Sequence, residues 1–164
     1  VAPGFEIPHY LALDLAATHT LAGSRHVLVE FPFDIMPGDA PTLISTLIGR
    51  GFLPVIAHPE RNGDIIADPR QLTEMISAGA QVQVTAASIT GELGPDCQRC
   101  AHYLLRRGLA HFIATDAHSP TFRTPVLSRA CGVARKLLEP DRVALLVEGN
   151  PRKIFQATDP NPLH

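Results

Sequence analysis

Residues 54–85 read PVIAHPERNGDIIADPRQLTEMISAGAQVQVT, in which two short apolar runs enclose a longer amphipathic segment. The two runs, PVIAH and QVQVT, have the length and the valine and isoleucine content of buried strands. Between them, Asp68 and Pro69 match a helix N-cap and the first helical position, and Gly79 matches a C-terminal cap. The stretch therefore predicts a strand, a helix and a second strand that is parallel to the first.

The same alternation extends to both sides of this unit. HVLVEF at 26–31 and HFIAT at 111–115 predict two further strands, and helices are predicted at 41–50, about 95–107 and about 125–138. Gly51 and Gly108 close the first two of these helices, and Arg106 and Arg107 suit the negative end of a helix dipole. The apolar stretch 11–21 could form a helix as well. The chain is thus predicted to be an α/β protein with a parallel sheet, and the pattern leaves a barrel and an open sheet equally open.

Length and composition limit what kind of protein this is. The chain has 164 residues, a formal charge of −2 and only three cysteines. We expect one domain over residues 1–158 and a frayed, proline-rich tail over 159–164. The charge offers no basic face for nucleic acid, the apolar runs are too short to cross a membrane, and no basic-then-apolar leader is seen. A reducing, cytoplasmic location is the expectation that fits best.

Ionisable side chains occur where the predicted strands end. Glu30, His58, Asp116 and His118 each lie at or just past the carboxyl end of an apolar run. In parallel α/β folds these ends form one rim, so we expect the four side chains to converge there. Asp116 and His118 would point the same way if their segment is extended. Carboxylates with imidazoles suit Mn, Fe or Zn and indicate hydrolytic chemistry.

Arginines follow two of these candidate ligands. Arg61 comes three residues after His58, and Arg123 comes five residues after His118. Their planar guanidinium groups suit phosphate oxygens. Structural alternatives stay open at this point. Arg61 could form an ion pair with Glu60 or Asp64, and His58 or His118, taken alone, could be a hydrogen-bonded structural histidine. Cys97 and Cys100 have the spacing of a zinc or redox pair, but no second pair completes the set and a packing role is expected.

The segments PGFEI, VLVEFPF, PVIAHPER, QVQVTAASITGELG and HFIATDAHSPTFRTP occur here in an order that resembles one protein family. It is the PHP (polymerase and histidinol phosphatase) superfamily, specifically the manganese-dependent protein-tyrosine phosphatases of bacterial capsule and exopolysaccharide loci. The resemblance runs from about residue 3 to residue 138. It implies a distorted, TIM-like (βα)7 barrel with two or three metal ions. Carried over by position, the metal ligands are Glu6, Glu30, His58, Asp116 and His118, and the phosphate-contacting arginines are Arg61 and Arg123.

One part of the family pattern is absent from the sequence. The family's first strand carries an H-x-H motif, and residues 1–6 contain no histidine. We therefore expect the first strands of the barrel, and part of its metal site, to be missing from this chain. The resemblance implies Mn²⁺, with Zn²⁺, Fe²⁺ or Mg²⁺ as alternatives, and a tyrosine kinase of polysaccharide export as the substrate protein. A phosphatase for a small ester such as histidinol phosphate, and an inert fragment that oligomerises, are the alternative interpretations.

Overall fold

Four parallel strands form the centre of the molecule in the computed structural model, which describes residues 20–118 and 125–156. They are β1 (His26–Val29), β2 (Leu53–Ala57), β3 (Gln81–Thr85) and β4 (Phe112–Ala114), and they lie side by side in chain order. Val27 pairs with Pro54, Ile56 with Val82 and Val84 with Ile113. Because every strand runs in the same direction, all four carboxyl ends lie along one edge of the sheet. This confirms the predicted α/β fold with a parallel sheet.

Helices connect the strands and continue after the last one. They are α1 (Ala40–Gly49), α2 (Gly63–Ala67), α3 (Leu72–Ala78), α4 (Ala86–Thr90), α5 (Pro95–Arg106), α6 (Ser128–Ala134), α7 (Pro140–Ala144) and α8 (Asn150–Gln156). Short 3₁₀ turns occupy Leu21–Gly23, Pro59–Arg61 and Pro69–Gln71, and a π turn at Leu145–Gly149 joins α7 to α8. In the described ranges no helix has both the length and the apolar character that crossing a membrane requires.

The structure corrects several predicted boundaries. The helix expected from Asp68 begins as the 3₁₀ turn Pro69–Gln71, and Asp68 caps that turn by accepting a hydrogen bond from the Arg70 N–H. The last predicted helix, 125–138, is shorter and spans Ser128–Ala134. Four helices were not predicted, namely α2, α4, α7 and α8, because five to seven residues are too few to show a helical period. Most of the predicted helix at 11–21, together with Glu6, Arg123 and the tail 159–164, lies outside the described residues.

The sheet is covered on both faces. Ile56, Val82 and Val84 pack against α1, α3 and α5 in the main core, which also buries Ile44 and Leu104 completely. Alternate side chains of β2 and β4 point to the opposite face, where Val55 and Phe112 pack with Ile154 of α8. Among the residues described, β1 and β4 are the outer strands and the sheet does not close. The predicted TIM-like barrel is therefore not seen in these ranges.

Candidate active site

Four ionisable side chains meet at the carboxyl edge of the sheet. Glu30 directly follows β1, His58 directly follows β2, and Asp116 comes two residues after β4. Glu30 Oε1 lies 3.2 Å from His58 Nε2, and Arg61 Nη1 donates a 3.1 Å hydrogen bond to Asp116 Oδ2. Of the four side chains predicted to converge, Glu30, His58 and Asp116 thus lie at this edge, joined by Arg61, whereas His118 stands at the outer rim.

A tight turn presents both His58 and Arg61. His58 has a left-handed backbone, with φ of 32°, and the 3₁₀ turn Pro59–Arg61 follows at once. The Arg61 N–H donates to the His58 carbonyl at 3.0 Å and closes the turn. A left-handed φ is strained for a residue with a Cβ atom, so the surrounding contacts have to hold this conformation in place.

The loop after β1 is fastened to this turn. Asn62 Nδ2 donates to the Pro32 carbonyl at 2.6 Å, and the Gly63 N–H donates to the Phe33 carbonyl at 2.7 Å. A Cβ atom on Gly63 would lie only 2.7 Å from the Asp34 carbonyl oxygen, so the approach requires glycine. These contacts fix Glu30, at the start of the loop, relative to His58.

Burial controls the charge of His58. The side chain is nearly inaccessible to water, and burial lowers the pKa of its imidazole below 6.5. The nearby Glu30 and Asp116 carboxylates raise that pKa, whereas the Arg61 guanidinium lowers it, and burial dominates. A neutral imidazole is the form that binds divalent metal ions. The result suits metal ligation better than a permanently charged ion pair with Glu30.

The pair of Glu30 and His58 fits a metal ion as two of its ligands. A carboxylate oxygen and an imidazole nitrogen face each other there, and both are ordinary ligands of Mn²⁺, Fe²⁺ and Zn²⁺. Within residues 20–118 and 125–156, however, no group of three or more His, Cys, Asp or Glu side chains is arranged to hold a metal. Among the described residues, the Glu30 and His58 pair therefore does not by itself make a complete metal site.

Asp116 and His118 are arranged differently from the prediction. Asp116 has a φ of 51°, so the segment is not extended there and the expected parallel side chains are not formed. His118 Nδ1 lies 2.8 Å from the Asp116 carbonyl oxygen and 3.7 Å from Asp116 Oδ1. The His118 side chain is 59% exposed, whereas that of Asp116 is only 17% exposed. Asp116 thus faces Arg61, and His118 stands at the outer rim.

Arg61 is held from two directions. Besides its bond to Asp116, its guanidinium carbon lies 4.3 Å from the centre of the Phe33 ring, and that ring also packs against His58 with centroids 5.6 Å apart. Of the two alternatives for Arg61, Asp64 accepts a hydrogen bond from the Met36 N–H, whereas Arg61 pairs with Asp116. Arg61 is therefore a fixed cation beside the Glu30 and His58 pair.

Glu60 also lies in this region, although the sequence did not predict a role for it. It is completely buried, and its Oε1 accepts hydrogen bonds from the Thr85 N–H at 2.9 Å and from Ser88 Oγ at 2.7 Å. Burial raises the pKa of Glu60 to about 7, against the opposing effect of these hydrogen bonds. A glutamate inside a Pro-Glu-Arg turn looks like a surface residue in a sequence. The one available signal was Ser88, which interrupts the apolar run after β3.

The three cysteines are all unpaired thiols. Cys100 is buried on α5, and burial raises the pKa of its thiol to about 12. A thiol with so high a pKa is not a nucleophile at neutral pH. This agrees with the packing role expected for Cys100.

Comparison with known proteins identifies related sequences and a related structure. The profile of the family described as "Capsular polysaccharide synthesis, CpsB/CapC" matches residues 6–156. The chain is 39% identical over 123 residues to tyrosine-protein phosphatase YwqE of Bacillus subtilis, covering 73% of this chain and 48% of YwqE. It is 29% identical over 164 residues to tyrosine-protein phosphatase CpsB of Streptococcus pneumoniae, covering 94% of this chain and 68% of CpsB.

A solved structure matches with a TM-score of 0.79 and 32% identity, over 88% of this chain and 59% of the matched chain. It comes from crystal structures of YwqE and CpsB, described as metal-dependent tyrosine phosphatases. The chain spans about half the length of YwqE and 42% of CapC from Staphylococcus aureus. These matches confirm the resemblance to the bacterial tyrosine phosphatases of capsule synthesis.

Proposed function

Because the chain belongs to the CpsB/CapC family of capsular polysaccharide synthesis, we propose that it is part of a metal-dependent phosphatase that hydrolyses phosphotyrosine on proteins. The observation that carries the proposal is the position of the Glu30 and His58 pair beside the Arg61 and Asp116 pair. It supports the proposal because a carboxylate and an imidazole, which are groups that can bind a divalent metal ion, lie next to a fixed cation at the sheet edge where parallel α/β folds bind their ligands.

The proposed metal ligands are Glu30, His58, Asp116, His118 and Glu6. Glu6 lies outside the described residues, and within them Glu30 and His58 face each other directly. Mn²⁺ is the proposed ion, in a centre of two or three ions, with Zn²⁺, Fe²⁺ or Mg²⁺ as alternatives. A bound divalent ion would lower the pKa of a coordinated water and offset negative charge on the phosphate. The lowered pKa of His58 supports this assignment, because it favours the neutral imidazole and a protonated imidazole cannot bind a metal.

Arg61 is the proposed phosphate-binding residue, and Arg123 is proposed for the same role from its position in the sequence. A guanidinium has five N–H donors, so Arg61 can donate to a phosphate oxygen while it keeps its bond to Asp116. Held by Asp116 and Phe33, the cation needs little reorganisation when negative charge develops on the phosphate. Arg61 thereby orients the phosphate and stabilises charge in the transition state.

The wider assignments follow from family membership. We propose that the four strands belong to a TIM-like (βα)7 barrel within one domain over residues 1–158, in which further strands complete both the sheet and the metal site. We also propose a cytoplasmic location and, as substrate, an autophosphorylating tyrosine kinase of polysaccharide export. A homo-oligomer is the corresponding proposal for the oligomeric state.

Hydrolysis of a phosphotyrosyl peptide by the purified chain, with Mn²⁺ and with EDTA, tests the proposal. We expect release of phosphate only with the metal ion, and loss of that release in His58→Ala and in Asp116→Ala. His102→Ala is the matched control, because His102 lies on α5 and contacts the Ile89 carbonyl. Faster hydrolysis of histidinol phosphate would favour the small-ester alternative, and no Mn²⁺ binding with no turnover would favour the inert fragment.

A further inference from the structure

Glu60 is a buried carboxylate between two residues of the proposed site. His58 precedes it by two positions and Arg61 follows it directly, yet its own side chain turns away from them into the protein. There Oε1 accepts from the backbone N–H of Thr85, the last residue of β3, and from Ser88 Oγ in α4. One oxygen atom thus links the turn after β2 to the end of β3 and to the helix that follows it.

Stability alone does not account for a carboxylate at this place. In the described part of the chain, Glu60 Oε2 is buried and has no hydrogen-bond partner. A buried polar atom without a partner costs about 1–3 kcal/mol, and more when the group carries charge. An apolar side chain would avoid that cost, but it could not accept the hydrogen bonds from the buried Thr85 N–H and Ser88 Oγ and so could not link the turn to β3 and α4. The unfavourable environment therefore points to a role in geometry.

We propose that Glu60 is a positioning residue, which fastens the His58–Arg61 turn to Thr85 and Ser88 so that the imidazole and the guanidinium stay aimed at the site. This inference rests on the proposed function, since it takes His58 as a metal ligand and Arg61 as a phosphate-binding residue. Glu60 itself touches neither the metal position nor the phosphate position.

The backbone around Glu60 explains why such a fastening matters. His58 is left-handed, and the turn is closed within its own chain by two bonds, from the Arg61 N–H to the His58 carbonyl and from the Asn62 N–H to the Pro59 carbonyl. Relaxation of His58 to an ordinary φ would rotate the imidazole away from Glu30 and move Arg61 away from Asp116. The two hydrogen bonds of Glu60 tie the turn to the adjacent strand and oppose that relaxation.

The experiment compares four variants of the whole chain: Glu60→Ala, Glu60→Gln, Ser88→Ala and the control Glu74→Ala, at an exposed position on α3. Amide hydrogen exchange is measured at Arg61, Asn62 and Val84, together with Mn²⁺ affinity and kcat and KM for a phosphotyrosyl peptide. Amide exchange at Arg61 and Asn62 reports whether the turn keeps its conformation. This measurement requires neither a bound metal ion nor catalytic activity.

We expect Glu60→Ala to speed exchange at Arg61 and Asn62 but not at Val84, and to weaken Mn²⁺ binding and kcat by about 10- to 100-fold. Glu60→Gln keeps an acceptor oxygen for both donors and should stay within about threefold of the wild type in each quantity. Ser88→Ala removes one of the two hydrogen bonds and should shift the same quantities in the same direction by less. Because it is the milder change, it should still fold if Glu60→Ala does not. Glu74→Ala should change none of them.

The inference is overturned if Glu60→Ala and Ser88→Ala match Glu74→Ala in Mn²⁺ affinity and kcat while the wild type is active. It is equally overturned if exchange accelerates uniformly, including at Val84, because that result describes general destabilisation. A wild-type chain that neither binds Mn²⁺ nor hydrolyses the peptide would instead refute the proposed function, and this inference with it.

Discussion

Arg61 and Asp116 form an ion pair that joins the end of β2 to the end of β4 and passes over the end of β3, the strand between them. Nη1 and Oδ2 are 3.1 Å apart, and both side chains are more than four-fifths buried. The pair therefore connects two strands that share no hydrogen bonds, and it holds a cation beside the Glu30 and His58 pair.

Arg61→Lys should reduce kcat/KM for a phosphotyrosyl peptide by about 100-fold. Lysine keeps the positive charge but loses the planar fork that can bind Asp116 and a phosphate oxygen at once. The control is Arg99→Lys, at a largely exposed arginine that pairs with Asp96 on α5. Wild-type kcat/KM in Arg61→Lys would mean that a point charge suffices and that the fork has no role.

Phe33→Leu should weaken binding of inorganic phosphate by about two- to fivefold, because the Arg61 guanidinium loses an aromatic face worth about 0.5–1 kcal/mol. Isothermal titration of the chain with phosphate measures the change. Phe155→Leu is the matched control, since Phe155 is 67% exposed on α8 and far along the chain from the turn. Equal phosphate affinity in the two variants would show that Phe33 does not support Arg61.

Gly63→Ala should lower the free energy of unfolding by about 1–3 kcal/mol, because its Cβ would meet the Asp34 carbonyl oxygen at 2.7 Å. Gly49→Ala provides the control at a glycine in α1, where a Cβ meets nothing within 4 Å; alanine there should be neutral or stabilise by up to about 1 kcal/mol. Urea unfolding followed by circular dichroism measures both. A Gly63→Ala variant as stable as Gly49→Ala would contradict the close approach of the β1 loop to the turn.

Protonation of His111 should lower the free energy of unfolding in mild acid. Its Nδ1 accepts a hydrogen bond from the Val82 N–H at 3.1 Å, and the His111 N–H donates back to the Val82 carbonyl. Burial, and then the nearby Arg142, lower the pKa of His111 below its usual 6.5. The unfolded chain therefore binds the proton more readily, so the contribution is complete above pH 6.5 and disappears as pH falls through the lowered value.

Urea unfolding at pH 7.5 and at pH 5 measures this effect. The wild type should lose more stability between the two pH values than His111→Gln does, since glutamine has no proton to gain. The same loss of stability in the wild type and in His111→Gln would exclude His111 as a source of the acid sensitivity.

The sequence was sufficient to locate the strands and the rim residues. Each of the four strands was predicted to within two residues at either end, because a buried parallel strand is a continuous apolar run with a polar residue where it ends. Glu30 and His58 could be placed at one edge by that argument alone. The helices α2 and α4 could not, because their five residues are held by capping and packing and not by an amphipathic period.

The fine geometry of the site depends on contacts between distant segments, which no local pattern encodes. The left-handed backbone at Asp116 turns its carboxylate to Arg61, whereas the residue spacing predicted an extended segment shared with His118. From the sequence, Glu60 was considered only as a possible ion-pair partner of Arg61, yet its side chain is buried and accepts hydrogen bonds from Thr85 at the end of β3 and from Ser88 in α4. Both departures lie at the proposed site.

Titration of the chain with Mn²⁺, followed by electron paramagnetic resonance of the free ion, tests most directly whether Glu30 and His58 hold a metal. We predict that the wild type binds Mn²⁺, that Glu30→Gln and His58→Ala each lose most of that binding, and that Glu74→Gln retains it. Equal Mn²⁺ binding by the wild type, Glu30→Gln and His58→Ala, or no binding by any of them, would contradict the metal site at the carboxyl edge of the sheet.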